Sequence, residues 1–245
     1  MKKYPRTYHF LFSPEVQSDD KVLSLKDLGN FISEEYVILE KMDGQNNCFK
    51  DGQLYARSHQ LPTKHEWDTY LSNLCYSKDM NPNYDYFFEN LYAIHSIEYT
   101  NLSTYIFLIN IHDKTTGEVL SWDEVEAEGR RLNIKTPKVI FRGTVKSMVE
   151  YKKLMENQIR FESSEGGKCE GFIARPVKRF YLEDFTKKVG KYVRKGHVQT
   201  DVHWRNNWKK AKLKLSVCFN PLYGLSNEEI ASLVATIVPA KNEEG

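Results

Sequence analysis

Between residues 36 and 175 the chain alternates short apolar runs with polar breaks. Tyr36–Lys41 (YVILEK), Gln53–Ser58 (QLYARS), Tyr105–Ile111 (YIFLINI), Lys138–Gly143 (KVIFRG) and Gly171–Arg175 (GFIAR) are rich in β-branched and aromatic residues and bounded by Gly, Asn, Asp or Lys. That pattern predicts strands. Helix signals lie between and after them. Ser121 and Glu124 stand at capping-box spacing at the start of SWDEVEAEGRRL, and Thr144 is placed to cap VKSMVEYKKLMENQI. Ser226 with Glu229 opens a segment whose Ile230, Leu233, Val234 and Ile237 share one helical face. Strands and helices mixed without regular βα alternation predict an α+β fold rather than a doubly wound sheet. A weak boundary near Asn220-Pro221 predicts a body over 1–220 and a short helical appendage over 221–245, too short to fold alone.

Composition narrows the class. At 245 residues, 40% apolar and 28% charged, the chain has the balance of an ordinary globular protein with one large domain. No apolar run is long enough to span a membrane, and the start MKKYPRTYHF lacks the apolar core of a signal peptide. A cytoplasmic protein with no membrane partner is expected. Cys48, Cys75, Cys169 and Cys218 match no zinc spacing and are expected as reduced thiols. His95, His197 and His203 likewise lack paired ligands at metal spacing. Net charge is only +2, yet residues 175–214 hold thirteen Lys and Arg against three acids. Such a stretch is a candidate footprint for a phosphate backbone, a solvated face being the plain alternative. In HVQTDVHWRNNWKKAKLK, the lysines are expected to face phosphates and Trp204 and Trp208 mostly to pack.

The chemistry gathers at Glu40-Lys41-Met42-Asp43-Gly44-Gln45-Asn46, directly after an apolar strand. A lysine there can lose its charge through burial or a nearby divalent cation, and only the neutral amine is a nucleophile. Gly44 lets the backbone turn and approach a ligand, and the carboxylates can orient the amine or hold a hydrated metal ion. Alone, Lys-x-Asp-Gly also fits an ordinary hairpin turn.

Further along come Arg57, Glu89 in Phe87-Phe88-Glu89-Asn90-Leu91-Tyr92, the apolar strand Tyr105–Ile111, Lys168-Cys169-Glu170-Gly171-Phe172, and Lys191-Tyr192-Val193-Arg194. This ordered set resembles the covalent nucleotidyltransferases, which comprise ATP-dependent DNA and RNA ligases and capping enzymes. Asn46, the stretch Glu89–Tyr99 and the tract Lys191–Trp204 make it most similar to compact, single-chain RNA ligases. The resemblance implies a nucleotidyltransferase fold of antiparallel sheets flanked by helices, ATP and Mg²⁺ (or Mn²⁺) as cofactors, and RNA with 5′-phosphate and 3′-hydroxyl ends as partner. A monomer is expected. It also implies roles: Lys41 carries AMP, Glu40 flanks the adenine pocket, and Asn46 serves the RNA-dependent step. Arg57 meets a phosphate, Glu89 the ribose, Glu170 a divalent cation with Asp43 beside it, and Lys191 the α-phosphate. Arg194, Lys195 and His197 are the implied RNA contacts, a structural role remaining the alternative for His197.

Three positions depart from the family. Phe88 stands where related ligases usually have Gly, so the local backbone or pocket floor should differ. The aromatic ring placed against adenine has two claimants, Ile109 by alignment and Phe107 two residues earlier on the same strand face. The usual Lys-x-Lys reads Lys191-Tyr192-Val193-Arg194, displacing the second cation by one residue. Other readings remain: a DNA ligase, a GTP-using capping enzyme, or an RNA-end-binding protein that has lost catalysis.

Overall fold

The computed structural model describes residues 4–57, 61–158, 162–196 and 204–214. The predicted helix after Ser226, the 221–245 appendage, Ser58, His197, His203 and Cys218 lie outside the described residues. Residues Met1–Lys214 group as one unit.

Eleven strands and five α-helices are described. The strands are β1 (Tyr8–His9), β2 (Tyr36–Lys41), β3 (Gln45–Lys50), β4 (Gln53–Ala56), β5 (Tyr84–Asn90), β6 (Ile106–Asp113), β7 (Glu118–Val119), β8 (Val139–Gly143), β9 (Gly171–Pro176), β10 (Phe180–Tyr181) and β11 (Gly190–Val193). The helices are α1 (Leu25–Leu28), α2 (Thr69–Tyr76), α3 (Trp122–Leu132), α4 (Met148–Gln158) and α5 (Phe185–Lys188). They form an α+β fold with two sheets, ordered β1-β11-β9-β2-β8 and β10-β7-β6-β5-β3-β4. Pairings between these strands are antiparallel except that of β1 with β11.

The central strand explains the layering. Every residue of β2 but Lys41 is buried, as expected for a strand covered on both faces. Tyr36 and Ile38 join Phe172, Ala174 and Tyr192 in a core closed by Phe10, Phe31 and the α4 residues Tyr151 and Met155. Val37 and Leu39 point the other way, into a core shared with Phe88, Leu108 and Ile111 of the second sheet. Lys41 ends β2 in the first sheet and Gln45 begins β3 in the second. The Met42–Gly44 turn is therefore the crossing between sheets, not a hairpin within one.

Helix α3 opens on the expected capping box: Ser121 Oγ accepts from Glu124 N, and the Glu124 carboxylate accepts from Ser121 N. Asn133 ends it in the left-handed region with φ 52°. Helix α4 corrects the expected cap at Thr144. It begins at Met148, and Ser147 Oγ accepts from Glu150 N at 3.2 Å. Strands β3, β5 and β11 and helix α2 were not predicted. β3 reads QNNCFK and hides its polar Asn47 and Gln45 in buried hydrogen bonds, which no apolar pattern announces.

Candidate active site

A cavity of about 510 Å³ opens between the sheets. Leu39, Lys41, Ile173, Arg175 and Lys191 line it from the first sheet, and Asn46, Glu89, Ile109 and Asn110 from the second. Register accounts for this convergence. Leu39 pairs with Ile173, which pairs with Lys191, so the three share one face of the first sheet. Asn46 pairs with Glu89 across β3 and β5.

Lys41 is the centre of charge. Its Nζ donates to Glu170 Oε2 at 2.6 Å. Burial pulls its pKa down, but Glu170, Glu89 and Asp43 more than offset this and leave it above the ordinary lysine range. Burial alone therefore does not uncharge this amine here: the surrounding carboxylates favour its ammonium form. Glu89 Oε1 accepts from Gly44 N at 3.0 Å, and its carboxyl is pushed up to about 7, chiefly by burial, with Lys41 opposing and Glu170 adding. A side chain at Gly44 would meet Asn90 O at 2.6 Å, so glycine is required for this close approach.

Asn46 lines the cavity, and its buried Oδ1 has no hydrogen-bond partner among the described residues. Arg57 lines the cavity from the exposed turn after β4. Lys191 also lines it, with Nζ 3.1 Å from Asp20 Oδ1. Burial holds its pKa below the usual range, the Asp20 hydrogen bond opposing and Lys41 adding.

Other expected residues are placed differently. Glu40 borders the cavity, but its carboxylate is committed to the opposite side of β2, accepting from Ser163 Oγ, from Ser164 N at 3.0 Å and from Ser164 Oγ at 2.7 Å. Alternation along the strand requires this, since Lys41 faces the cavity. Asp43 does not line the cavity; its Oδ2 accepts from Ser96 N at 2.8 Å and Ile97 N at 2.7 Å. It anchors that loop. Arg194 Nε donates to Cys169 O at 2.7 Å, so the displaced cation braces the segment that leads through Glu170 into β9, while Lys195 is exposed.

The two claimants for the adenine face separate. Phe107 is 2% exposed, sits in the core and does not line the cavity. Phe87 pairs with Asn110 and Phe88 with Leu108, leaving Ile109 as the extra residue of a β-bulge. A bulge re-aims side chains, and here Ile109 and Asn110 both reach the cavity. Phe88 is fully buried in the core, so the altered position before Glu89 changes packing and not the cavity lining.

Sequence reasoning missed Tyr4, Asp20, Asn110 and Arg175, all cavity-lining. Arg175 Nη1 donates to Asn110 Oδ1 at 2.7 Å, and Asn110 Nδ2 donates to Tyr4 Oη at 3.3 Å. An arginine within the apolar run GFIAR was the one available signal. Tyr4 and Asp20 belong to no motif.

Among the described residues no group of three or more His, Cys, Asp or Glu forms a metal cage. Glu89 lines the cavity, whereas Glu170, like Asp43, does not and reaches it through its contact with Lys41; Mg²⁺ commonly uses one or two carboxylates together with substrate phosphates and waters.

A family model described as RNA ligase matches residues 34–193, more than half of the chain. The chain belongs to the RNA ligase family. The matched span holds Lys41, Asn46, Arg57, Glu89, Glu170 and Lys191. No curated relative matches the chain in sequence. Among solved structures, this RNA-ligase-family chain is similar to an archaeal ATP-dependent RNA ligase (TM-score 0.53, 11% identity, covering 79% of this chain and 48% of that one). It is also similar to Naegleria gruberi RNA ligase with PPi (0.52, 14%, 80% and 59%). A putative ATP-dependent DNA ligase from Aquifex aeolicus matches too (0.52, 21%, 79% and 50%). These likenesses establish the nucleotidyltransferase fold of ligases. The chain spans about half to three fifths of the length of those proteins.

Proposed function

We propose that the protein is an ATP-dependent RNA ligase that acts as a monomer and joins a 5′-phosphate to a 3′-hydroxyl through a covalent lysyl-AMP on Lys41. The observation that carries this reading is Lys41 at a cavity wall, hydrogen-bonded to Glu170, with Glu89 and Lys191 converging from other strands. Lys41 Nζ attacks the α-phosphorus of ATP; a P–N bond forms and the bond to pyrophosphate breaks. AMP then passes to the 5′-phosphate of RNA, returning the lysine amine. The RNA 3′-hydroxyl attacks that phosphate, expels AMP and leaves a phosphodiester.

The residues divide the work. Nζ must lose a proton before attack, and Glu170 Oε2 at 2.6 Å is the acceptor in contact with it. Lys191 and Arg57 supply positive charge to the phosphates, and Glu89 accepts from the ribose. Ile109, Leu39, Ile173 and Val189 offer the base an apolar slot. Glu170 would hold a magnesium or manganese ion, which would supply positive charge to offset that of the triphosphate.

Mass spectrometry after incubation with ATP and Mg²⁺ tests the reading. An AMP adduct is expected on the parent and none on Lys41→Ala; a parent without adduct overturns it. Joining assays on RNA, DNA and hybrid nicks then test the preference for RNA over DNA.

A further inference from the structure

Residues 204–214 lie beyond the groups assigned to adenylylation, yet they are built against the site, and Arg205 reaches the cavity wall. They hold five cations, Arg205, Lys209, Lys210, Lys212 and Lys214, and no acid. The strap is held by its backbone: Ile94 N donates to Lys209 O at 2.8 Å, Ala211 N to Tyr92 O at 2.9 Å, and Lys214 N to Leu102 O at 2.7 Å. Tyr105 Oη donates to Ala211 O at 3.2 Å. Two bridges, Ala93 with Lys210 and Leu102 with Leu213, add to this. With the backbone so fixed, Lys209, Lys212 and Lys214 remain exposed. Like charges held close on an ordered segment repel, and a polyanion relieves that cost.

Aromatic rings accompany the cations. Lys210 Nζ lies 5.0 Å from the Tyr92 ring centroid and 5.7 Å from that of Tyr105. Trp208 packs edge-on against Trp67 and at a tilt against Tyr92, so it supports the strap. Tyr70 is 42% exposed and stacks on Tyr92 with a centroid separation of 6.0 Å and an interplanar angle of 24°. At its other end, the strap places Arg205 on the cavity wall with Lys41 and Lys191.

We infer that residues 205–214 form a track for the phosphate backbone of a single-stranded RNA, with Tyr70 as a stacking platform, that leads the strand's end past Arg205 to Lys41. Exposed cations interleaved with an accessible aromatic face are the chemistry of single-strand binding, since bases stacked within a duplex cannot reach such a ring. This rests on the ligase reading for its destination at Lys41. Strand binding itself does not require that reading.

The test separates the two. Lys209→Glu/Lys212→Glu/Lys214→Glu should form lysyl-AMP from ATP within twofold of the parent rate. Its affinity for a 5′-phosphate RNA 12-mer, read by fluorescence anisotropy in EDTA, should fall at least tenfold. The slope of log K against log salt should shrink by about 2, since each phosphate that a lysine neutralises on a single strand adds roughly 0.7. The triple Arg variant should bind RNA as the parent does, and Tyr70→Ala should weaken binding without changing the salt slope. RNA affinity unchanged in the triple Glu variant, or an acidic peptide of matched charge binding the parent as tightly as RNA, overturns the track. A parent that binds RNA through these lysines but forms no AMP adduct refutes the ligase reading and leaves the track standing.

Discussion

Lys41 Nζ and Glu170 Oε2 are 2.6 Å apart, although their positions in the chain are 129 residues apart. The contact follows from β2 and β9 pairing in register, Lys41 opposite Gly171, the residue after Glu170. It holds the amine in place and favours its charged form.

Removing the partner should free that proton. In Glu170→Gln, burial acts on Lys41 with one less opposing carboxylate, so its pKa moves down. Labelling of Lys41 by an amine-acylating reagent, followed by mass spectrometry across pH, should reach half-maximal rate at lower pH in the variant. An unshifted or upward-shifted profile contradicts the assignment of Glu170 as the group that keeps Lys41 charged.

Glu89 makes a prediction about stability. Its carboxyl is raised from 4.5 to about 7. Between those values the folded chain keeps a proton that the unfolded chain has released, so stability falls as pH rises through this window. Glu89→Gln should therefore be more stable than the parent at pH 8 by about 1–3 kcal/mol, and show no such gain at pH 4. Urea unfolding at the two pH values decides; a pH-independent difference would falsify the claim.

Phe107 and Ile109 should respond in opposite ways. Phe107→Ala removes a ring that is 2% exposed in the core and should cost about 3–5 kcal/mol. Ile109→Trp fills the cavity from the bulge; it should keep the parent Tm within a few degrees while ATP binding, read by calorimetry, is lost. Retained ATP affinity in Ile109→Trp would remove Ile109 from the base slot.

Glu40 should behave as a structural group. Glu40→Ala strips the acceptor from Ser163 Oγ, Ser164 N and Ser164 Oγ and should cost about 2–3 kcal/mol. Glu40→Gln keeps an acceptor oxygen and should lose less than half of that. Equal losses on denaturant titration would show that the bonds to the serine loop contribute little.

Gly171 tests the strand contact beneath the nucleophile. A Cβ there would collide with Tyr192 O of β11. Gly171→Ala should therefore disturb the β9–β11 pairing and lower Tm, with a drop in AMP adduct formation; a variant of parent Tm and parent adduct yield refutes the close packing.

Local chemistry was legible in the chain. The apolar runs marked β2, β4, β6, β8 and β9, the capping box marked α3, and the order of Lys41, Arg57, Glu89, Glu170 and Lys191 marked the family, because these signals depend on residue type and period. Strands such as β3 were not legible, since their buried polar residues are satisfied by partners far along the chain. The predicted helix after Ser226 lies outside the described residues.

What folding alone decided concerns distance. The field at Lys41 depends on Glu170, just before β9, and Glu89 of β5, and Coulomb energy varies with a separation no sequence pattern encodes. That Ile109 lines the cavity and Phe107 does not turned on one extra residue in a strand pairing, and the contacts of Asp43 and Arg194 on which amide or carbonyl lay within reach. Residue identity determined which groups could react, and cross-strand register determined which of them meet.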